Sequence, residues 1–107
     1  MSRKLDLQLY LLLNGYPLKD IPEERYDDYM REPEYSTNND AMVRLITELM
    51  ERDIIVSIIT VRNLFSVMVG DGKLFSSSES ISKSLPEAVA LATYTYYSGK
   101  EWEENNE

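Results

Sequence analysis

Apolar residues follow two rhythms along this chain: a spacing of three or four that suits helices, and a density at nearly every position that suits covered strands. The opening segment, MSRKLDLQLYLLLNGY, alternates through Leu5, Leu7, Leu9 and Leu11 and also keeps helical spacing through Leu5, Leu9, Leu12 and Leu13. Its good helix formers, and Asn14-Gly15 placed where a left-handed C-terminal cap belongs, decide for a helix. A second helix is expected after Pro33, with Met42, Leu45, Ile46, Leu49 and Met50 on one face and Arg44, Glu48, Glu51 and Arg52 on the other. Before it stands EYSTNNDAM, in which Thr37 and Asp40 have capping-box spacing, with Asp in place of Glu. The polar row is therefore read as the start of that helix, Asp40 favouring the positive end of its dipole.

The next stretch changes rhythm. DIIVSIITV, residues 53–61, is rich in β-branched residues and reads as a strand, with Ile54, Val56 and Ile58 on one side and Ile55, Ile59 and Val61 on the other. NLFSVMVGDGK sets Phe65, Val67 and Val69 against Leu64, Ser66 and Met68. A strand with one wet face would alternate with polar residues, so both faces of this sheet are expected to be covered. Arg62-Asn63 is the expected turn between these strands. Asp71-Gly72 predicts a two-residue hairpin, leading to a short third strand over Lys73 to Ser76 that serines blunt as an edge. The serine-rich residues that follow read as a loop ending in SLPE, where Ser84 and Glu87 have capping-box spacing and Pro86 falls in the first helical turn. Leu85, Val89, Ala92 and Tyr96 form the stripe of a final helix that Gly99 ends.

Between the first two helices, residues 16–36 form a long acidic connection with Pro17, Pro22 and Pro33. Connections of this length are uncommon inside a domain unless they are functional or contain an element of their own. Ile21, Tyr26, Tyr29 and Met30 recur at spacings that suit a short helical turn on the surface. The organisation expected is one α+β domain over residues 1–99 and an acidic tail over 100–107, from which Trp102 can fold back on the body.

Composition narrows the chemistry. The 107 residues suffice for one core, and by surface scaling such a domain buries roughly 65% of its unfolded surface. The chain has no cysteine and no histidine. It therefore has no thiolate nucleophile, no disulfide, no soft zinc site and no imidazole base, and it is expected not to be an enzyme and to need no cofactor. Nothing in the sequence places a carboxylate in an apolar pocket. A net charge of −8 disfavours duplex nucleic acid. The longest wholly apolar run, Leu9 to Leu13, is far short of the ~20 residues of a membrane span, so the host-cell cytoplasm is the expected setting.

The element order, with YST at Tyr35 to Thr37, GDG at Gly70 to Gly72, and LPEAVALATYTYY from Leu85 to Tyr97, resembles the small phage and prophage domain called the phage ABA sandwich domain. The resemblance covers roughly residues 5–97 and implies helices on both faces of a sheet and a phage or prophage source. It implies no catalytic residues. Many members carry tryptophan near the second strand, where this chain has Leu64, Phe65 and Met68, so any surface that depends on that tryptophan has no support here. The fold expected is α+β, a three-stranded antiparallel meander with helices on both faces.

Candidate sites follow from what remains. Double-stranded-RNA-binding domains share the order of a helix, three strands and a helix, but they place lysines at the start of the last helix, where this chain offers only Lys83. An anion site would use Thr37, Ser84, Lys73 and Lys83, which ordinary helix capping also explains. Paired acids such as Asp27-Asp28 and Glu23-Glu24 read as solvated and not as a metal site. The tyrosines are the leading candidates: Tyr26, Tyr29 and Tyr35 in the acidic connection, and Tyr94 and Tyr97 on the last helix, either as a protein-binding surface or as packing over the body. The expected function is non-enzymatic binding of a host or phage protein, with a homodimer as the assembly. Sequestration of a nucleotide immune signal and acidic mimicry of nucleic acid against a host nuclease are the alternatives.

Overall fold

The computed structural model describes residues 3–15, 34–71, 77–100 and 102. The elements run α1 (Arg3–Leu13), α2 (Asn39–Glu51), β1 (Ile55–Val61), β2 (Leu64–Gly70), β3 (Ser77–Ser82) and α3 (Leu85–Ser98). The strands form one antiparallel sheet in the order β1-β2-β3. The α+β class and the three-stranded meander read from the sequence are thus observed.

Each helix end has a local cause. Gly15 takes φ 76° just after α1, where the sequence placed the left-handed residue. The α2 cap differs from the expectation at Thr37: the helix is capped by Asn38, whose side-chain oxygen accepts from the Ala41 amide at 3.0 Å. Thr37 instead closes the turn before it, its amide donating to the Glu34 carbonyl. At the other end Asp53 adopts φ 62°, its amide reaching Met50 O while the Ile54 amide reaches Leu49 O. This is a Schellman closure in which buried Ile54 meets buried Leu49, and it turns the chain into β1. Helix α3 is capped by Ser84, begins with Leu85-Pro86 and ends at Gly99 with φ 75°, as its sequence signals indicated.

Val61 pairs with Leu64, so Arg62-Asn63 is a two-residue hairpin, with Arg62 at φ 57°. The second hairpin corrects the sequence reading. Gly70 pairs with Ser77, which leaves six residues between the strands, and the third strand is the serine-rich stretch that reads as a loop. Gly72 and the expected strand over Lys73 to Ser76 lie outside the described residues. Strand formation here follows from pairing with β2 and not from serine's own preference.

The core forms between one face of the sheet and the helices. Register puts Phe65, Val67 and Val69 on the same face as Val56, Ile58 and Thr60, and Val67 and Val69 are fully buried beneath α3. Helix α3 lies against β2 and β3 on one side and against α1 on another. That placement explains why Ala88, Val89, Ala90, Ala92 and Thr93 are all buried: a helix that is apolar nearly all round belongs in an interior. Its small residues allow close packing, and the buried Thr93 hydroxyl donates to Val89 O. Leu5, Leu9 and Leu13 of α1 join Leu45 and Leu49 of α2 in the same cluster. Trp102 does fold back, its ring edge-on to Tyr94 at 5.1 Å between centroids.

Candidate functional site

The residues singled out in sequence do not converge on one place. Tyr35 and Tyr94 are buried members of the core, so neither offers an exposed ring. Tyr97 is half-buried, edge-on to Tyr96, and its hydroxyl accepts from Arg52 Nη1 at 3.2 Å. Tyr26 and Tyr29, with most of the acidic connection, and Lys73 lie outside the described residues. Thr37, Lys83 and Ser84 are exposed. The Ser84 hydroxyl accepts from the Glu87 amide, and the Glu87 carboxylate accepts from the Ser82 hydroxyl, which puts negative charge at this helix start. The depression of about 100 Å³ at the start of α2 is lined by Glu34, Asn38, Asp40, Ala41 and Arg44. Its two carboxylates and one guanidinium make it a poor receptor for an anion.

One buried group escapes the sequence reading. Asp6 of α1 is 2% exposed, and its Oδ1 accepts the Ser36 amide at 2.9 Å across 30 residues of chain. Burial raises its pKa to about 6 against the stabilising pull of Ser36, with Glu34 adding to the rise. The Ser36 hydroxyl lies near this carboxylate but finds no partner at hydrogen-bonding geometry. The available signal was Asp6 standing between Leu5 and Leu7 in a helix too apolar to leave it a wet side. Burial likewise pushes the Tyr35 hydroxyl upward, with Glu48, Asp6 and Tyr10 contributing. The YST turn is therefore fastened to α1 by a buried carboxylate. It is a latch in the fold, and its tyrosine and serine face inward.

Arg52 has a similar structural role. Its guanidinium donates to the Leu13 carbonyl at 2.8 Å, to Tyr97 and to Glu48, tying the ends of α1, α2 and α3 together. Among the described residues no group of acids is placed to hold a metal ion, and no helix is long and apolar enough to cross a membrane.

The prominent surface feature is the sheet itself. Register sets Ile55, Ser57, Ile59 and Val61 of β1 on the same side as Gly70, Met68, Ser66 and Leu64 of β2 and Ser77, Glu79 and Ile81 of β3. On this side Ile81 is 58% exposed, Ile55 57%, Ile59 53%, Val61 53%, Leu64 37% and Met68 36%. The expected covering of both faces is therefore met by helices on one face only, among the described residues. On β1 even Ile58, on the helix side, is 42% exposed, because α3 lies over β2 and β3. A two-faced apolar strand pattern reports that both sides avoid water, and it does not say what covers them.

No protein-family model matches the chain, and no curated protein matches it. Among solved structures it is similar to a phage protein from Bacillus cereus ATCC 14579, determined as a 2.0 Å crystal structure. The two superpose with a TM-score of 0.64 at 20% identity, over 96% of this chain and 93% of that one. At that identity the likeness establishes a shared fold.

Proposed function

We propose that this chain is a phage- or prophage-encoded, non-enzymatic binding protein whose working surface is the sheet face that, among the described residues, no helix covers, where it engages protein. The observation that carries the reading is the run of six exposed Ile, Val, Leu and Met side chains spread across three strands. An apolar area of this extent matches the largest patch that a monomer carries, and such a patch is often a functional contact surface. The phage source is supported by the fold shared with the Bacillus cereus phage protein and by the YST, GDG and LPEA segments. Kinship with the phage ABA sandwich domain belongs to the same proposal and rests on the same element order. The non-enzymatic part is supported by a chain without histidine or cysteine whose one buried carboxylate of raised pKa, among the described residues, is bonded to a backbone amide. A cysteine-free composition fits the host cytoplasm, and a net charge of −8 fits a partner other than nucleic acid.

Contact mapping tests the proposal. Cross-linking mass spectrometry on the tagged protein in bacterial lysate should place contacts on residues 55–70 and 81, and Ile59→Glu should abolish them. Contacts that survive Ile59→Glu unchanged, or that map to the α2 surface, would refute the reading.

A further inference from the structure

We propose that the occupant of the uncovered sheet face is a second copy of this chain, packed face to face about a twofold axis near the middle of β2. The inference rests on the reading that this face is a protein contact and goes further by naming what fills it.

Area is the first argument. From their fractional exposures, the six side chains present roughly 500 Å² of apolar surface per copy, so two copies bury roughly 1,000 Å² from these residues alone, the scale a specific interface needs. The neighbouring positions of Ser57, Ser66 and Gly70 have small side chains or none, so the face can approach another sheet at the usual separation of about 10 Å with side chains interleaved.

Charge is the second argument. Two copies that each carry −8 repel over most of their surfaces, and association must use a region where charge is sparse. None of the β1 and β2 residues that register assigns to this face is charged; the one charged position on it, Glu79, pairs with Met68, so the contact centres on the rows of Ile59, Ser66 and Ile81 and of Val61 and Leu64 and leaves Glu79 at its rim. A twofold contact is self-complementary when the same patch meets itself, and a flat apolar sheet face meets that requirement without matching charges.

Breadth is the third. Pairing β1 edges into a continuous sheet would use the backbone of β1 but would leave Met68 and Ile81 in water. Packing face to face removes all six from water together.

Sedimentation equilibrium on the full chain at micromolar concentrations is expected to give twice the 12.4 kDa chain mass. Ile81→Glu lies on β3, the edge opposite β1, at a position exposed enough that the isolated fold tolerates the charge. It should raise the dissociation constant on the order of a hundredfold by burying an unpaired carboxylate, while circular dichroism and melting of the monomer stay as in the parent. Met68→Cys supplies a measurement that does not depend on weakening anything: in a chain without other cysteines, mild oxidation should yield a covalent dimer, whereas Lys83→Cys should not. A monomeric parent chain overturns the inference, and so does a dimer that persists in Ile81→Glu and fails to cross-link through Met68→Cys. If the parent is monomeric and Ile59→Glu still loses its lysate contacts, only the identity of the occupant has failed. If neither variant changes anything, the reading of the face as a protein contact fails with it.

Discussion

Replacing Asp6 by Asn should make the protein more stable near neutral pH and leave it almost unchanged in mild acid. The folded protein keeps a proton on Asp6 up to about pH 6, whereas the unfolded chain releases it near 3.8. Between those values the native state binds more protons than the unfolded state, so this group's contribution falls as pH rises through the window and is flat above it. A gap of about two pKa units at 1.36 kcal/mol each amounts to about 3 kcal/mol. Asn keeps an acceptor for the Ser36 amide and carries no charge to desolvate. Urea unfolding of both proteins across pH 4 to 8 measures the effect directly, because the other titrating groups are common to both and cancel. The stability of Asp6→Asn relative to the parent should grow by about 2.5 kcal/mol across this range, the rest having accrued below pH 4, equivalent to roughly 10 °C or more in melting temperature for a domain of this size. Two curves that run parallel from pH 4 to 8 would show that Asp6 is not desolvated in the native state, and the latch described above would be wrong.

Other expected outcomes separate the capping and packing assignments. Asn38→Ala should cost about 1 kcal/mol in chemical denaturation, while Thr37→Ala, at an exposed residue of the preceding turn, should cost little, and the reverse order would restore Thr37 as the cap. Val67→Ala removes two methyl groups from a fully buried position beneath α3 and should cost about 2 kcal/mol, with a lower denaturation midpoint and an unchanged slope. A cost below half that value would place Val67 on the open face of the sheet.

Much of this architecture is local and could be read from the sequence. Asn14-Gly15, the Ser84 cap, Pro86 and Gly99 mark helix ends because capping and left-handed backbone are decided within a few residues. The period of Leu45 and Leu49, and the β-branched density of residues 54–61, likewise state an element type where they stand. A cap shared among neighbouring polar residues is less legible, since Thr37 and Asn38 can both serve and only the path of the chain chooses.

The remainder was settled in three dimensions. The serines from 77 to 82 become a strand because β2 offers them a ladder, although alone they carry no strand signal. Asp6 is buried because α1 packs against α3 and receives the Ser36 amide from a turn 30 residues away. The last helix sits inside the protein, which is why Tyr94 is a core residue, and β1 is left more open because that helix lies over the other two strands. Hydrophobicity along a sequence records how much water a residue avoids. It carries no label for the surface that excludes that water, whether a helix of the same chain or a neighbouring molecule, and that choice depends on distances between segments that the sequence leaves far apart.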